Sequence, residues 1–373
     1  MYKRQYLDLG AWYFRLGLLK ECQAVLVQSP VNAEVLYWLA FLEHQLIGAS
    51  GSPLARAVSA PVEGVFPFRT ESVEILNWAR GKTESWKPAY LLGLIYWSKD
   101  QPEEARKLFS ACGSRPDFAP FYASRAALIP ETRLQDLQKA ATLDPSQWRY
   151  VKLLAQHYLD QKERGAMVRV TEAFEQRFPG DFRVRMLLAK AHLVNGNYKG
   201  CTDMLSQTQV LPYEGSTEGR MLYHEAWILQ AVAKIKEKKY KEALAMIANA
   251  RSWPENLGVG KPYAADIDAR VENFLEGLCL ERMNQQSKAE SIWKNSIHGK
   301  MAGPNDLFTA WALKKTGRSE EGEALLRAWV RKDPTNTVAG WCLSAFQNVD
   351  VHTPADLEEK GGRIAMAVFS LKP

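Results

Sequence analysis

The sequence predicts an all-α fold, an α-solenoid of about eight helical hairpins stacked side by side. Three observations predict it. First, small residues recur in pairs twelve positions apart: Gly10 with Cys22, Gly93 with Ala105, Ala189 with Cys201, Ala231 with Ala243, Gly277 with Ala289 and Ala310 with Gly322. Four positions past each second member stands a large apolar residue: Leu26, Phe109, Leu205, Ile247, Trp293 and Leu326. Second, prolines keep a similar beat, with 34 residues from Pro145 to Pro179 and 33 from Pro179 to Pro212. Third, apolar residues recur at three and four positions, and the period-two alternation of strands is missing.

The spacing has a physical reading. Two antiparallel helices joined by a short turn approach closely where both carry a small side chain, and the large residue one turn on fills the groove beside them. Three positions past the first small residue lie Tyr13, Tyr96, His192, Leu280 and Leu313, with Lys234 as the exception. Turn residues stand between the helices at Gly17, Asp100-Gln-Pro102, Gly196-Asn197 and Gly317. Proline then stops the second helix, because it lacks an N–H and clashes with the preceding turn. A lone hairpin cannot bury its apolar face, so neighbours must stack.

In chain order the periodicity predicts helices at 5–17, 19–28, 33–47, 53–59, 70–80, 86–99, 102–113, 117–127, 131–142, 148–160 and 163–177. It continues with 182–195, 198–208, 217–237, 240–251, 264–283, 286–297, 304–315, 319–331, 335–346 and 355–370. Residues 1–85 read as less regular repeats, 86–212 as central repeats, and 213–373 as C-terminal repeats closed by a capping helix at 355–370. That cap offers Ile364, Ala365, Ala367 and Val368 for packing. Around 117–142 the seam is broken, with Ser124 and Arg125 where small residues are expected.

Composition narrows the function classes. Of the 373 residues 46% are hydrophobic and 24% charged, ordinary for a globular chain and too apolar for disorder. No apolar run approaches the ~20 residues of a membrane span, so no membrane partner is expected. The opening Met1-Tyr-Lys-Arg-Gln-Tyr-Leu-Asp is not a secretory leader, which points to the cytoplasm. The net charge of +6 is a mild excess, and the densest basic run, Lys234 to Lys241, is interleaved with Glu237 and Glu242. Nucleic-acid binding needs a less neutralised stripe. Cys22, Cys112, Cys201, Cys279 and Cys342 are scattered and odd in number, which fits buried free thiols better than a zinc site or a disulfide framework.

The six agreeing units resemble the tetratricopeptide repeat, and the resemblance implies a right-handed superhelix with a concave groove. Four further passages fall outside the repeat: Val65-Phe-Pro-Phe-Arg69, Trp86-Lys-Pro-Ala-Tyr-Leu-Leu-Gly93, Leu211-Pro-Tyr-Glu-Gly215 and Trp253-Pro-Glu-Asn-Leu-Gly-Val-Gly-Lys-Pro-Tyr263. With the opening Tyr6-Leu-Asp-Leu-Gly-Ala-Trp-Tyr-Phe-Arg-Leu-Gly17, they resemble the C-terminal repeat region of large bacterial proteins. Those proteins carry an N-terminal galactose-mutarotase-like β-sandwich domain of unknown function. The resemblance implies a carbohydrate context, and it implies that this chain lacks the β-sandwich part.

No catalytic residue, metal site or cofactor is expected. Gly258-Val-Gly-Lys261 fails as a phosphate loop, since that motif needs GxxxxGK[ST] between a strand and a helix and here Pro262 follows the lysine. The six histidines form no HExxH pair, and no GxSxG elbow occurs. The candidate contacts are instead on inter-repeat loops: Arg69, Tyr213, Glu214, Trp253, Glu255, Asn256 and Lys261. Corresponding loops of stacked repeats share one side, so Arg69, Tyr213, Glu214, Glu255, Asn256 and Lys261 would line one rim. The competing reading is that each loop merely caps its own hairpin. Two functions follow. One is a non-catalytic scaffold holding a protein or peptide partner, or an associated β-sandwich domain, in its groove. The other is an auxiliary part of a carbohydrate-active enzyme whose loops shape a sugar site.

Overall fold

The computed structural model describes residues 3–49, 51–296, 303–349, 353–354 and 357–372. Among them there is no strand, and the chain is all-α. It forms two compact units, one ending at His157 and the other beginning at Tyr158.

The first unit holds α1 (Lys3–Arg15), α2 (Leu19–Val27), α3 (Ala33–Ile47), α4 (Gly51–Ser59), α5 (Glu71–Arg80), α6 (Lys87–Ser98), α7 (Pro102–Cys112), α8 (Ala119–Leu128), α9 (Arg133–Leu143) and most of α10 (Trp148–Asp160). The second holds α11 (Arg164–Arg177), α12 (Phe182–Val194), α13 (Tyr198–Ser206), α14 (Glu218–Lys236), α15 (Tyr240–Ala250) and α16 (Arg270–Arg282). It continues with α17 (Gln286–Asn295), α18 (Asp306–Lys315), α19 (Ser319–Lys332), α20 (Thr337–Gln347) and α21 (Arg363–Phe369). Sequence neighbours pack as hairpins, such as α6 on α7, α12 on α13, α14 on α15 and α16 on α17.

The twelve-residue seam is where the helices touch. A Cβ built on Gly10 would lie 3.0 Å from Leu26 Cδ2, and one on Gly93 would collide with the Phe109 ring. A Cβ on Gly277 would enter the Trp293 indole, and one on Gly322 would sit 2.8 Å from the Ala310 carbonyl oxygen. Gly10, Gly93 and Gly277 thus leave room for the large residue opposite, and Leu26, Phe109 and Trp293 are fully buried.

The bends obey a second rule. Seven pairs of consecutive helices are separated by three residues, and the middle one is left-handed: Gly17, Asp100, Lys162, Gly196, Lys238, Asn284 and Gly317. The next amide donates back to Tyr13, Tyr96, Tyr158, His192, Lys234, Leu280 and Leu313 at 2.8–3.0 Å. This is the Schellman closure of a helix C-terminus. It explains why position three past the seam recurs in the sequence even when its side chain changes to lysine.

First and second helices of the hairpins bury different shares of their surface. In the second unit α18 is buried from Asp306 to Leu313 without a break, whereas α19 buries only Gly322, Leu326 and Trp329. A helix buried all round lies between two layers, and a striped helix faces water on one side. The five cysteines are all free and buried, and burial pushes their thiols up, Cys112 to about 11 and Cys22, Cys201, Cys279 and Cys342 to about 12.

Three expectations need correction. The break at Ser124 and Arg125 is filled by a part-buried ion pair: Arg125 holds the buried Asp136 through Nε at 2.9 Å and Nη2 at 2.5 Å, and Thr132 adds a hydroxyl at 2.8 Å. The helix expected over 264–283 starts only at Arg270, because Asp268 accepts the Arg270 amide and guanidinium, a side-chain turn that competes with helix. The C-terminal helix is shorter than 355–370, of which 355 and 356 lie outside the described residues. A π turn at Glu358–Gly362 precedes α21, and Gly361 there has φ of +84°. This segment does more than close the last hairpin. It packs on α14, and Arg282 of α16 donates to the Leu371 carbonyl.

Candidate functional site

Two loops between hairpins, 207–217 after α13 and 251–269 after α15, meet on the second unit. Asn256 joins them. Its side-chain amide donates to the Leu205 carbonyl at 2.9 Å and the Thr208 carbonyl at 2.7 Å, and its own carbonyl accepts the Val210 amide at 2.8 Å. Leu257 is buried beside α14, where Gly219 leaves room for it. Gly258 has φ of +67° and a Cβ there would lie 2.8 Å from the Val210 oxygen, so glycine is required on both counts.

Beneath the loops, Trp253 lies against the Arg220 guanidinium, 4.5 Å from the ring centre. Arg220 is buried and donates to the Ala250 carbonyl at 2.8 Å. Burial pulls its pKa down, and the Glu272 carboxylate opposes that in part. Glu272 is buried too and meets His224 Nε2 at 3.0 Å, while Tyr223 and Ser252 share a hydroxyl contact at 3.0 Å. A charged and hydrogen-bonded floor thus fixes Trp253.

Above that floor is an open recess of about 570 Å³, whose walls include Pro212, Tyr213, Glu214, Trp253, Val259 and Pro262. Its surroundings are unusually apolar for surface. Tyr213 is 62% exposed, Leu211 83% and Tyr263 86%, and Met221 on the first turn of α14 is 65% exposed. Of the expected contacts, Tyr213, Glu214 and Trp253 line the recess together. Asn256 is half-buried and serves as the clip between loops. Glu255 and Lys261 are exposed and do not line it. Ser216, Thr217 and Val259 line it and were not anticipated; their only sequence signal is neighbourhood to the glycines of the two loops.

Arg69 belongs to the first unit. It is buried, and Nη2 and Nε reach Asp8 Oδ1 at 2.6 and 2.9 Å. It borders a second recess of about 380 Å³ with Trp12, Phe68, Glu71 and Lys99. There Glu71 pairs with Arg15; burial pushes its carboxyl up, but the hydrogen bonds from Arg15 and its neighbours prevail and leave it lowered.

Among the described residues no group of three His, Cys, Asp or Glu side chains is placed to hold a metal. No helix there is long and apolar enough to cross a membrane.

No protein-family model and no curated protein sequence matches the chain. Solved structures similar to it include two described as repeat proteins. One is a tetratricopeptide repeat protein from Parabacteroides merdae, 10% identical, covering 71% of this chain and 100% of that one, with a TM-score of 0.42. Another is the C-terminal part of a TPR repeat-containing protein from Cytophaga hutchinsonii, 12% identical, covering 73% and 93%, with a TM-score of 0.39. The yeast Tom70 is 11% identical over 98% of this chain and 91% of its own, with a TM-score of 0.36.

Proposed function

We propose that the chain is a non-catalytic scaffold that docks a protein partner on the loop platform around Tyr213 and Trp253. The observation behind this is the exposed apolar side chains Leu211, Tyr213 and Tyr263 on loops pinned by Asn256 and Gly258. Exposed aromatics on a rigid frame lose little entropy on binding and anchor interfaces efficiently. Clustered apolar surface of this kind is otherwise a liability in water. The partner that fits is a peptide segment that lays one apolar side chain into the recess. The carbohydrate reading has less support, because one face of Trp253 is already taken by Arg220.

The test is a selection of random peptides against the whole chain, followed by titration with a Tyr213→Ser, Tyr263→Ser double variant. Affinity is expected to fall by at least about tenfold, the effect of losing one anchoring contact, with the melting temperature unchanged. Selected peptides that bind both proteins equally overturn the assignment, and binding to glycans without peptide binding favours the sugar reading.

A further inference from the structure

The C-terminal segment, residues 357–371, lies on the second unit in the manner of a bound ligand. α21 has only seven residues, too few to be helical without support. Its support comes from several directions. Leu357, Ala365, Val368 and Leu371 are buried in the core formed by α14 to α20. Arg363 pairs with Glu225 of α14 at 2.7 Å, and Glu358 pairs with Arg164 of α11 at 2.6 Å. Arg282 of α16 donates to the Leu371 carbonyl at 2.9 Å, and Phe369 meets Trp341 of α20 edge-on, ring centres 5.8 Å apart.

α14, α16 and α20 each lead a repeat, with α18 between the last two, and the segment meets all three. The segment has no seam pair of its own: between Leu357 and Leu371 no small residue meets a neighbour at the hairpin spacing. It is joined to α20 through residues 348–356 and touches three elements far from it in sequence. These contacts are those of a short amphipathic segment in a groove, with ion pairs at Glu358 and Arg363 and apolar anchors before and after them.

From this placement we infer that the leading-helix face of the second unit is a helix-receiving groove, occupied in cis by residues 357–371 and open to a partner helix of the same chemistry only when that segment leaves. That chemistry is specified: apolar side chains matching Leu357, Ala365, Val368 and Leu371, an acid for Arg164 and a cation for Glu225. This surface is separate in its residues from the loop platform. The tethered segment raises the threshold for any competitor, because apparent affinity falls with the fraction of chains whose groove is open.

The experiment keeps the whole protein. A protease site is placed at residues 350–352, the folded chain is cut, and a fluorescent peptide of residues 353–373 is added. The cut chain is expected to exchange its tail for the peptide, and the uncut chain to bind it at least about fiftyfold more weakly, the advantage of tethering. A peptide with Arg363→Glu should bind about tenfold more weakly to the cut chain and recover on a cut Glu225→Arg chain, as reversal of a charge pair requires. Equal binding to cut and uncut chains, no effect of Arg363→Glu, or failure of the second reversal to restore binding each overturns the proposal. So does unfolding of α14, α16 or α20 when the tail leaves, which would make α21 a fixed part of the core. In the uncut protein, hydrogen exchange over 363–371 should quicken in Arg363→Glu and slow again in the Arg363→Glu, Glu225→Arg double variant; unchanged exchange in the single variant also overturns it.

Discussion

Replacing Gly277 with alanine should destabilise the second unit, although alanine is the better helix former. Gly277 is in α16, facing Trp293 of α17. Three contributions decide the sign. Alanine gains about 1 kcal/mol in helix propensity. Its Cβ would meet the indole at Nε1, with Cε2 at 2.6 Å and Cδ1 at 2.8 Å, and Trp293 is fully buried with nowhere to move. Overpacking of this kind costs roughly 1–3 kcal/mol. The indole N–H also donates to the Phe274 carbonyl at 3.2 Å, and displacing the ring breaks that buried bond at a further ~1–3 kcal/mol. The net expectation is a loss of about 1–5 kcal/mol, or roughly 2–20 °C in melting temperature for a unit of this size. Gly340 in α20 is the control, since a Cβ there meets nothing within 4 Å. Gly340→Ala should therefore gain up to about 1 kcal/mol. Circular dichroism melts of the two variants beside the parent test both signs together. Adding Trp293→Phe to Gly277→Ala should recover part of the loss. A Gly277→Ala protein that melts at or above the parent would refute the seam argument.

Other consequences are open to measurement. Asn256→Ala removes both carbonyl contacts of the clip and should cost about 1–3 kcal/mol, with faster amide exchange at Val210, while Lys261→Ala on the exposed loop should leave stability unchanged. Burial alone would raise the Asp268 carboxyl, but hydrogen bonds from Arg270 and Asn305 outweigh it and hold the pKa down to about 2. A depressed carboxylate stabilises the fold above its ordinary pKa, and this is lost as pH falls from about 4 to about 2; a difference melt against Asp268→Asn should show a gap that closes across that window. With thiols pushed to about 11 or 12 by burial, iodoacetamide at pH 8 should leave all five cysteines unmodified in the native chain and label them all in urea. Rapid native labelling would mean that the seams open.

The hairpins were legible in the sequence because the seam demands particular residue sizes at fixed spacing, and few side chains satisfy it. The same logic fails in α11. Met167 and Thr171 stand there at the spacing of a seam's second helix and are both fully buried, yet Met167 is not small and Thr171 is not a large apolar residue. Left-handed bends at Lys162 and Lys238 carry no glycine to announce them, and only the closing hydrogen bond reveals their equivalence to Gly17 and Gly196. At the site, composition marked the two unusual loops and three of the recess residues. It could not say that Asn256 turns inward, because an asparagine amide serves a backbone carbonyl and a ligand equally well. The docking of residues 357–371 was out of reach for a different reason, since a tail without a seam pair gives no spacing from which to infer its neighbours.

The fixed interval between seam and bend also limits where this chain can change length. From Gly93 to Asp100, or from Gly277 to Asn284, the residue count sets which way the seam points when the chain turns back. One inserted residue would swing every later side chain of that helix by about 100° and carry the seam off its partner. Additions survive only in the stretches that separate one hairpin from the next. Stretches such as 207–217 and 251–269 can take on new surface chemistry while the helical frame stays as it is.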